Sequence, residues 1–94
     1  MPARGVPNYV LTEHALFEMQ RRRLDQQTIR LVLASPEQRF MSGPGRIVLQ
    51  SRVAMGVPVK PYLIRVVVDV NRVSAEVVTV YRTSKIAKYW KVQL

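Results

Sequence analysis

The stretch that decides the fold is residues 61–83, PYLIRVVVDVNRVSAEVVTVYRT. Residues 61–70 are rich in Val and Ile, and residues 73–83 again carry many β-branched side chains, which is typical of strands. Asn71-Arg72 lies between these runs and fits a two-residue hairpin loop, although Gly is usual at its second position. Residues 61–83 therefore predict an antiparallel hairpin.

Two further strands are predicted upstream of this hairpin. Residues 46–54 alternate apolar and polar side chains, as a half-buried strand does. Residues 37–42 predict a first, short strand, and the turn at residues 42–45, with two glycines and a proline, separates the two. The second half of the chain thus predicts a four-stranded antiparallel meander.

Two helices are predicted before the strands. Thr12 is suited to cap a helix over residues 12–23, because its hydroxyl can accept a hydrogen bond from a first-turn amide. Asp25 is suited to cap a second helix over residues 25–34, and Pro36 ends it.

The order of these elements predicts the fold class. Residues 1–10 contain Pro and Gly and predict an irregular lead-in. We expect an α+β fold in which two N-terminal helices pack on a four-stranded antiparallel sheet, in a single domain over residues 1–94.

The pairing of the hairpin decides which side chains face the helices. If Val70 pairs with Val73, Tyr81 faces the helices, whereas Arg65 and Arg82 lie on the opposite face of the sheet. A shift of one residue would exchange every one of these assignments.

Charge is the most informative bulk property of the chain. It carries 15 Lys and Arg against six Asp and Glu, a net charge of +9. Residues 39–94 hold ten of those basic residues and two of the acidic ones. This excess of positive charge indicates a polyanion or an acidic protein as partner. The alternative is that the charge only keeps the protein soluble.

The composition also excludes several kinds of site. The chain has no cysteine and one histidine, which excludes disulfides, thiol nucleophiles and the usual zinc clusters, so no cofactor is expected. No apolar run is long enough to span a membrane or to act as a signal peptide, so we expect a cytoplasmic protein with no membrane partner.

His14 is the first candidate for chemistry. It falls in the first turn of the predicted helix, where the positive end of the dipole favours a neutral ring that can accept a proton. The alternative is a structural histidine that bonds a nearby carbonyl group.

Basic and aromatic residues supply the remaining candidates. Arg22 lies two turns after His14 on its side of the helix, although a run of three arginines is commonly a solvated face. Residues 79–91 combine bases, hydroxyls and aromatic rings, a mixture that can stack on nucleobases and hold phosphates. The alternative is a basic tail in which Trp90 closes the core.

The ordered set of these residues resembles a bacterial family called domain of unknown function 4258. The resemblance runs from Thr12-Glu13-His14-Ala15 through Arg22 and Pro36 to residues 77–85 and Lys88-Tyr89-Trp90. Arg23 departs from the pattern, since this family often has Gly there.

The resemblance implies a fold and an activity. The family has been grouped with RelE/barnase-like metal-independent ribonucleases, which have helices followed by an antiparallel sheet. RNA cleavage is the implied activity, with an acidic antitoxin-like protein as a possible second partner.

We therefore predict a small RNase-like toxin domain that cleaves RNA by metal-independent 2′-OH transesterification. The predicted catalytic residues are His14, Arg22 and Tyr81, around one solvent-open pocket. The predicted RNA-binding residues form one continuous patch and are Arg46, Arg52, Arg65, Arg82 and Lys85. Two alternatives remain, a non-catalytic nucleic-acid-binding module and a protein-interaction module.

Overall fold

The computed structural model describes residues 3–92. In chain order its elements are β1 (Tyr9–Leu11), α1 (Glu13–Arg21), α2 (Gln26–Ala34), β2 (Gln38–Gly43), β3 (Arg46–Met55), β4 (Lys60–Asp69), β5 (Ala75–Thr83) and α3 (Ile86–Tyr89). All strands form one sheet in the order β1-β5-β4-β3-β2. No helix within residues 3–92 has both the length and the apolar character needed to cross a membrane.

The predicted four-stranded antiparallel sheet is wrong, because a fifth strand joins it in parallel. β1 begins within residues 1–10, for which the sequence predicts irregular structure, and it pairs with β5 so that Tyr9 is opposite Ala75 and Leu11 is opposite Val77. Three residues are too few to show the alternation of a strand, and their partner is the last strand of the chain. Residues 3–92 therefore form a five-stranded mixed sheet with three helices, two of them at the predicted positions.

The two long helices begin at side-chain caps. Thr12 Oγ1 accepts a hydrogen bond of 3.1 Å from Ala15 N, and Asp25 Oδ1 accepts one of 2.7 Å from Thr28 N. Each cap satisfies an amide that the helix itself leaves unpaired. The Thr12 hydroxyl also donates to Val77 O at 2.9 Å, which anchors the start of α1 to β5.

A tight break separates α1 from α2. Arg23 adopts a φ of 54°, the left-handed region in which most side chains are strained. Leu24 N then donates to Met19 O at 2.8 Å, and the Leu24 side chain turns into the core. The departure from Gly at this position thus leaves the break in place.

The core lies between the two long helices and one face of the sheet, which we call the inner face. The helices contribute Ala15, Met19, Ile29, Val32 and Leu33; the strands contribute Ile47, Leu49, Ile64, Val66, Val68, Val77 and Val80. Burial of each large aliphatic side chain stabilises the fold by about 1.5–3 kcal/mol. The opposite, outer face of the sheet is covered in part by α3 and the residues after it.

The predicted register of the β4–β5 hairpin is also wrong. Val68 pairs with Val77, and the next pair is Val67 with Thr79, so Val78 forms a bulge. One extra residue reverses the alternation beyond it. As a result Tyr81 lies opposite Arg65 on the outer face, not toward the helices, and Arg82 lies opposite Ile64 on the inner face.

Candidate functional site

His14 lies in the first turn of α1, and its side chain is exposed. Thr12 holds this turn beside Val77 of β5. Further along the helix, Arg22 comes close to Tyr81, also on β5. α1 therefore runs beside β5, with His14 near one end of that stretch and Arg22 at the other.

Three polar side chains follow one another at four-residue intervals: His14 and Glu18 in α1, and Arg22 at its C-cap. Residues so spaced lie on neighbouring turns of one side of a helix. Glu18 Oε2 accepts a hydrogen bond of 2.8 Å from Arg22 Nε, and Arg21 Nε lies 3.3 Å from Oε1. These hydrogen bonds, that of Arg22 first, lower the pKa of Glu18. Glu18 thus stays ionised at neutral pH and orients Arg22.

Tyr81 is contacted by two guanidinium groups that come from different parts of the chain. The Cζ atom of Arg22 is 5.7 Å from the centre of its ring, and that of Arg65 is 5.2 Å away. Arg65 Nη1 also donates a hydrogen bond to the Tyr81 hydroxyl. The structure therefore brings Arg22, Arg65 and Tyr81 together, although Tyr81 is on the outer face.

Access to this cluster is along the edge of β5. β1 pairs with β5 only at residues 75–77, so in the described part of the chain no strand pairs with residues 78–83 on that side. His14 shares the side of α1 that carries Arg22, but within residues 3–92 no hydrogen bond joins it to Arg22 or Tyr81. Of the three predicted catalytic residues, Arg22 and Tyr81 are therefore in contact, and His14 lies two helical turns before Arg22.

Arg65 occupies an aromatic environment on the outer face. Its Cζ atom lies 4.3 Å from the ring centre of Tyr89 and 6.0 Å from that of Phe40, and Tyr81 forms a third wall. Gln50, which is fully buried, accepts a hydrogen bond of 3.0 Å from Arg65 Nε. Sequence analysis missed this network, because Gln50 fits the polar positions of the alternating strand at residues 46–54 and nothing marks it as buried.

The five predicted RNA-binding cations are divided between the two faces, so the prediction of one continuous patch is wrong. Arg46, Arg52 and Arg65 lie on the outer face, where Arg46 is opposite Asp69 in the β3–β4 register. Arg82 lies on the inner face because of the Val78 bulge. Lys85 follows β5 and is exposed.

Among these five cations only Arg52 forms an ion pair with a carboxylate of residues 3–92. Its Nη2 lies 2.8 Å from Glu37 Oε2, and this hydrogen bond lowers the pKa of Glu37 and raises that of Arg52. Arg52 is therefore held by Glu37 as Arg22 is held by Glu18, but it stacks on Trp90 and not on Tyr81.

Comparison with known proteins places the chain in a family. The family model "Domain of unknown function (DUF4258)" matches residues 11–82, most of the chain. The chain belongs to the DUF4258 family. No curated protein and no solved structure matches it.

The DUF4258 match includes every member of the cluster around Tyr81 except Tyr89. It spans His14, Arg22, Arg65, Tyr81 and Arg82, and it ends before Lys85 and α3. The strands beneath α3 therefore lie within the matched residues, whereas α3 itself lies outside them.

The C-terminal segment of this DUF4258 member, residues 86–92, is held by polar and stacking contacts. Gln38 donates from Nε2 to Lys91 O at 2.7 Å and accepts from Lys91 N at 3.0 Å. Gln50 Nε2 donates to Tyr89 O at 3.1 Å. No residue of α3 is buried.

Trp90 does not close the core, contrary to one of the alternatives drawn from the sequence. It is half-buried on the outer face, and the Cζ atom of Arg52 lies 4.2 Å from its ring. Burial of Trp90 inside would need a further apolar cavity, but α1 and α2 already fill the inner face.

Proposed function

We propose that this protein binds single-stranded RNA at the edge of β5 and cleaves it by 2′-OH transesterification without a metal ion. The observation that carries the proposal is the convergence of Arg22 and Arg65 on Tyr81. Arg65 at the hydroxyl and Arg22 beside the ring place two guanidinium groups at one tyrosine, and guanidinium donors match the oxygens of a phosphodiester. The net charge of +9 favours association with a polyanion.

The residues at this edge fit the steps of such a reaction. A base removes the proton of the 2′-OH, O2′ attacks phosphorus, and the bond from phosphorus to O5′ breaks as O5′ receives a proton. The products are a 2′,3′-cyclic phosphate and a 5′-OH. His14 is the only histidine of the chain, and imidazole is the side chain best suited to general-base catalysis, so we assign it the proton transfer from the 2′-OH.

Arg22, Arg65 and Tyr81 act on the phosphate. The guanidinium groups stabilise the negative charge that grows on the phosphoryl oxygens. Because the Tyr81 oxygen accepts from Arg65, the phenolic proton is free to be donated to O5′ or to a phosphoryl oxygen. The backbone positions of His14 and Arg22 are about 12 Å apart along the helix, so both side chains have to lean toward each other to act on one nucleotide, His14 at the 2′-OH and Arg22 at the phosphate.

The grouping of the family with RelE/barnase-like ribonuclease toxins belongs to the same proposal. A toxin of this kind would act on cytoplasmic RNA and be restrained by an acidic antitoxin-like protein. Growth arrest on expression, relieved by His14→Ala, is the expected phenotype.

An RNA-cleavage assay in EDTA tests the proposal. We expect labelled single-stranded RNA to yield products with a 2′,3′-cyclic phosphate, and the same sequence with 2′-deoxy sugars to stay intact. His14→Ala should lower the rate by about 10²–10⁴-fold. Gln20→Ala, an exposed change on the same helix, is its control and should leave the rate unchanged.

A second pair of variants tests the phosphate contacts. Arg22→Ala should lower the cleavage rate, whereas Arg21→Ala should not, although both remove one charge and one partner of Glu18. RNA left intact by pure, folded protein would overturn the catalytic proposal. If that protein still binds RNA through Arg22, the non-catalytic binding module, which the aromatic surroundings of Arg65 also suit, replaces it.

A further inference from the structure

A second cluster of cations around an aromatic ring lies on the inner face, at the end of the β3–β4 hairpin. Lys60 Nζ is 5.2 Å from the centre of the Tyr62 ring, and Arg82 Cζ is 5.1 Å from it. Arg82 Nη1 also lies 3.6 Å from Met55 Sδ. Tyr62 itself is half-buried and packs against the edge of the core. The ring is therefore held in place while both cations remain at the surface.

Neither cation of this cluster has a carboxylate partner among residues 3–92. The ion pairs in that part of the chain use Arg21, Arg22, Arg52 and Arg72. Free cations beside an aromatic ring attract an anion, and the ring favours one that carries a flat π-surface. A nucleotide combines the two, since its phosphate is charged and its base can stack.

The cluster at Tyr62 is next to the candidate site at Tyr81. Arg82 follows Tyr81 directly, and consecutive side chains of a strand point to opposite faces. Beyond them β5 ends at Thr83, and exposed Ser84 and Lys85 follow. A flexible polyanion that passes around this end of β5 would contact Tyr81 on the outer face, Lys85 at the turn and Arg82 on the inner face.

We propose that Lys60, Tyr62 and Arg82 form a second nucleotide subsite, which extends the RNA site from Tyr81 around the end of β5. This inference rests on the proposed function, since the first subsite is the one where the RNA is cleaved. The ligand is single-stranded RNA, because the bases of a duplex are stacked on each other and cannot stack on Tyr62. The second subsite makes the protein prefer RNA long enough to reach both faces.

The experiment compares short and long single-stranded RNA on full-length protein. Binding is measured by fluorescence anisotropy with RNAs of about 4 and about 12 nucleotides, within the range of known single-strand sites. Tyr62→Leu should weaken binding of the long RNA about tenfold and leave that of the short RNA unchanged. Tyr62→Phe should bind both RNAs as the parent does, since the stacking ring is kept.

A second measurement does not depend on Tyr62. Arg82→Ala should reduce the slope of log affinity against log salt by about 0.7 for the long RNA, the value for one phosphate of a single strand. Arg72→Ala removes one charge at the opposite end of β4 and β5, where Arg72 lies near Asp69 and Glu76, and should leave the slope unchanged.

The two proposals fail in different ways. If Tyr62→Leu and Arg82→Ala bind long RNA like the parent while the parent still cleaves RNA, the second subsite is wrong and the proposed function stands. If the parent binds neither RNA, the proposed function is wrong and the second subsite with it. An equal loss for short and long RNA also overturns the second subsite, because Tyr62 would then act on the first.

Discussion

Glu18 holds Arg22 in place at the end of α1, with 2.8 Å between Glu18 Oε2 and Arg22 Nε. The carboxylate side chain is only 9% exposed, whereas that of Arg22 is 33% exposed. The Glu18 carboxylate is therefore mostly buried, while the Arg22 guanidinium reaches Tyr81 at the surface. The position of the candidate phosphate ligand thus depends on a second, non-reacting side chain of the same helix.

Acid should weaken the fold through Glu18. Its folded-state pKa lies below the ordinary value of 4.5, so its stabilising contribution is complete above that value and is lost as pH falls through the folded pKa. Urea unfolding from pH 7 to pH 3 should show a fall in the free energy of unfolding that is smaller in Glu18→Gln. The matched variant Glu13→Gln, exposed on the same helix, should keep the parent's fall; equal curves for all three proteins would contradict this role of Glu18.

Gln50→Leu should destabilise the protein and loosen its C-terminal segment. The change removes hydrogen bonds to Arg65, to Gln38 and to the Tyr89 carbonyl at a fully buried site. The expected loss is about 1–3 kcal/mol in the free energy of unfolding. Faster amide hydrogen exchange at Lys91, whose N–H is bound by Gln38, is the local measurement. Unchanged exchange there would show that Gln50 does not hold the segment.

Arg23→Gly should stabilise the protein. A non-glycine residue at a φ of 54° is strained, and glycine relieves this strain. Glycine also raises the conformational entropy of the unfolded chain, which offsets part of the gain. We expect a net gain of about 0.5–1 kcal/mol in chemical unfolding. Arg23→Ala removes the same charge and keeps the strain, so an equal gain in both variants would assign the effect to charge.

Arg65→Lys should impair RNA binding although it keeps the charge. One guanidinium here donates both to Gln50 and to Tyr81, from Nε and Nη1. A lysine ammonium is a point donor and cannot reproduce this fork. RNA affinity at constant salt is the measurement, with Arg72→Lys as control. If Arg65→Lys binds RNA with the parent's affinity, only the positive charge of Arg65 matters for binding, and its hydrogen-bond geometry does not.

Several features could be predicted because their causes are local. The caps at Thr12 and Asp25 and the stop at Pro36 each act within a few residues, and both helices lie near the predicted ranges. The sequence also predicted that Arg22 and Tyr81 lie together, and they are in contact. The predicted register placed Tyr81 toward the helices, whereas in the structure Tyr81 lies on the outer face and Arg22 reaches it at the edge of β5.

Other features were decided by pairing between distant segments. β1 is a strand only because β5 offers it a free edge, and Arg65 became part of the site only because Tyr81 is its cross-strand partner. No pattern within either segment carries that information, and the comparison of sequences supplied the family but no partner, substrate or structure.

The sequence by itself therefore determined the helices, the approximate strands and the excess of positive charge, since each depends on residues close together in the chain or on composition alone. Only the tertiary structure decided which face each functional side chain occupies. A single bulged residue, Val78, moved Tyr81 to the outer face and Arg82 to the inner one. The physical reason is that side chains alternate with a period of two, so one inserted residue exchanges the faces of every residue after it.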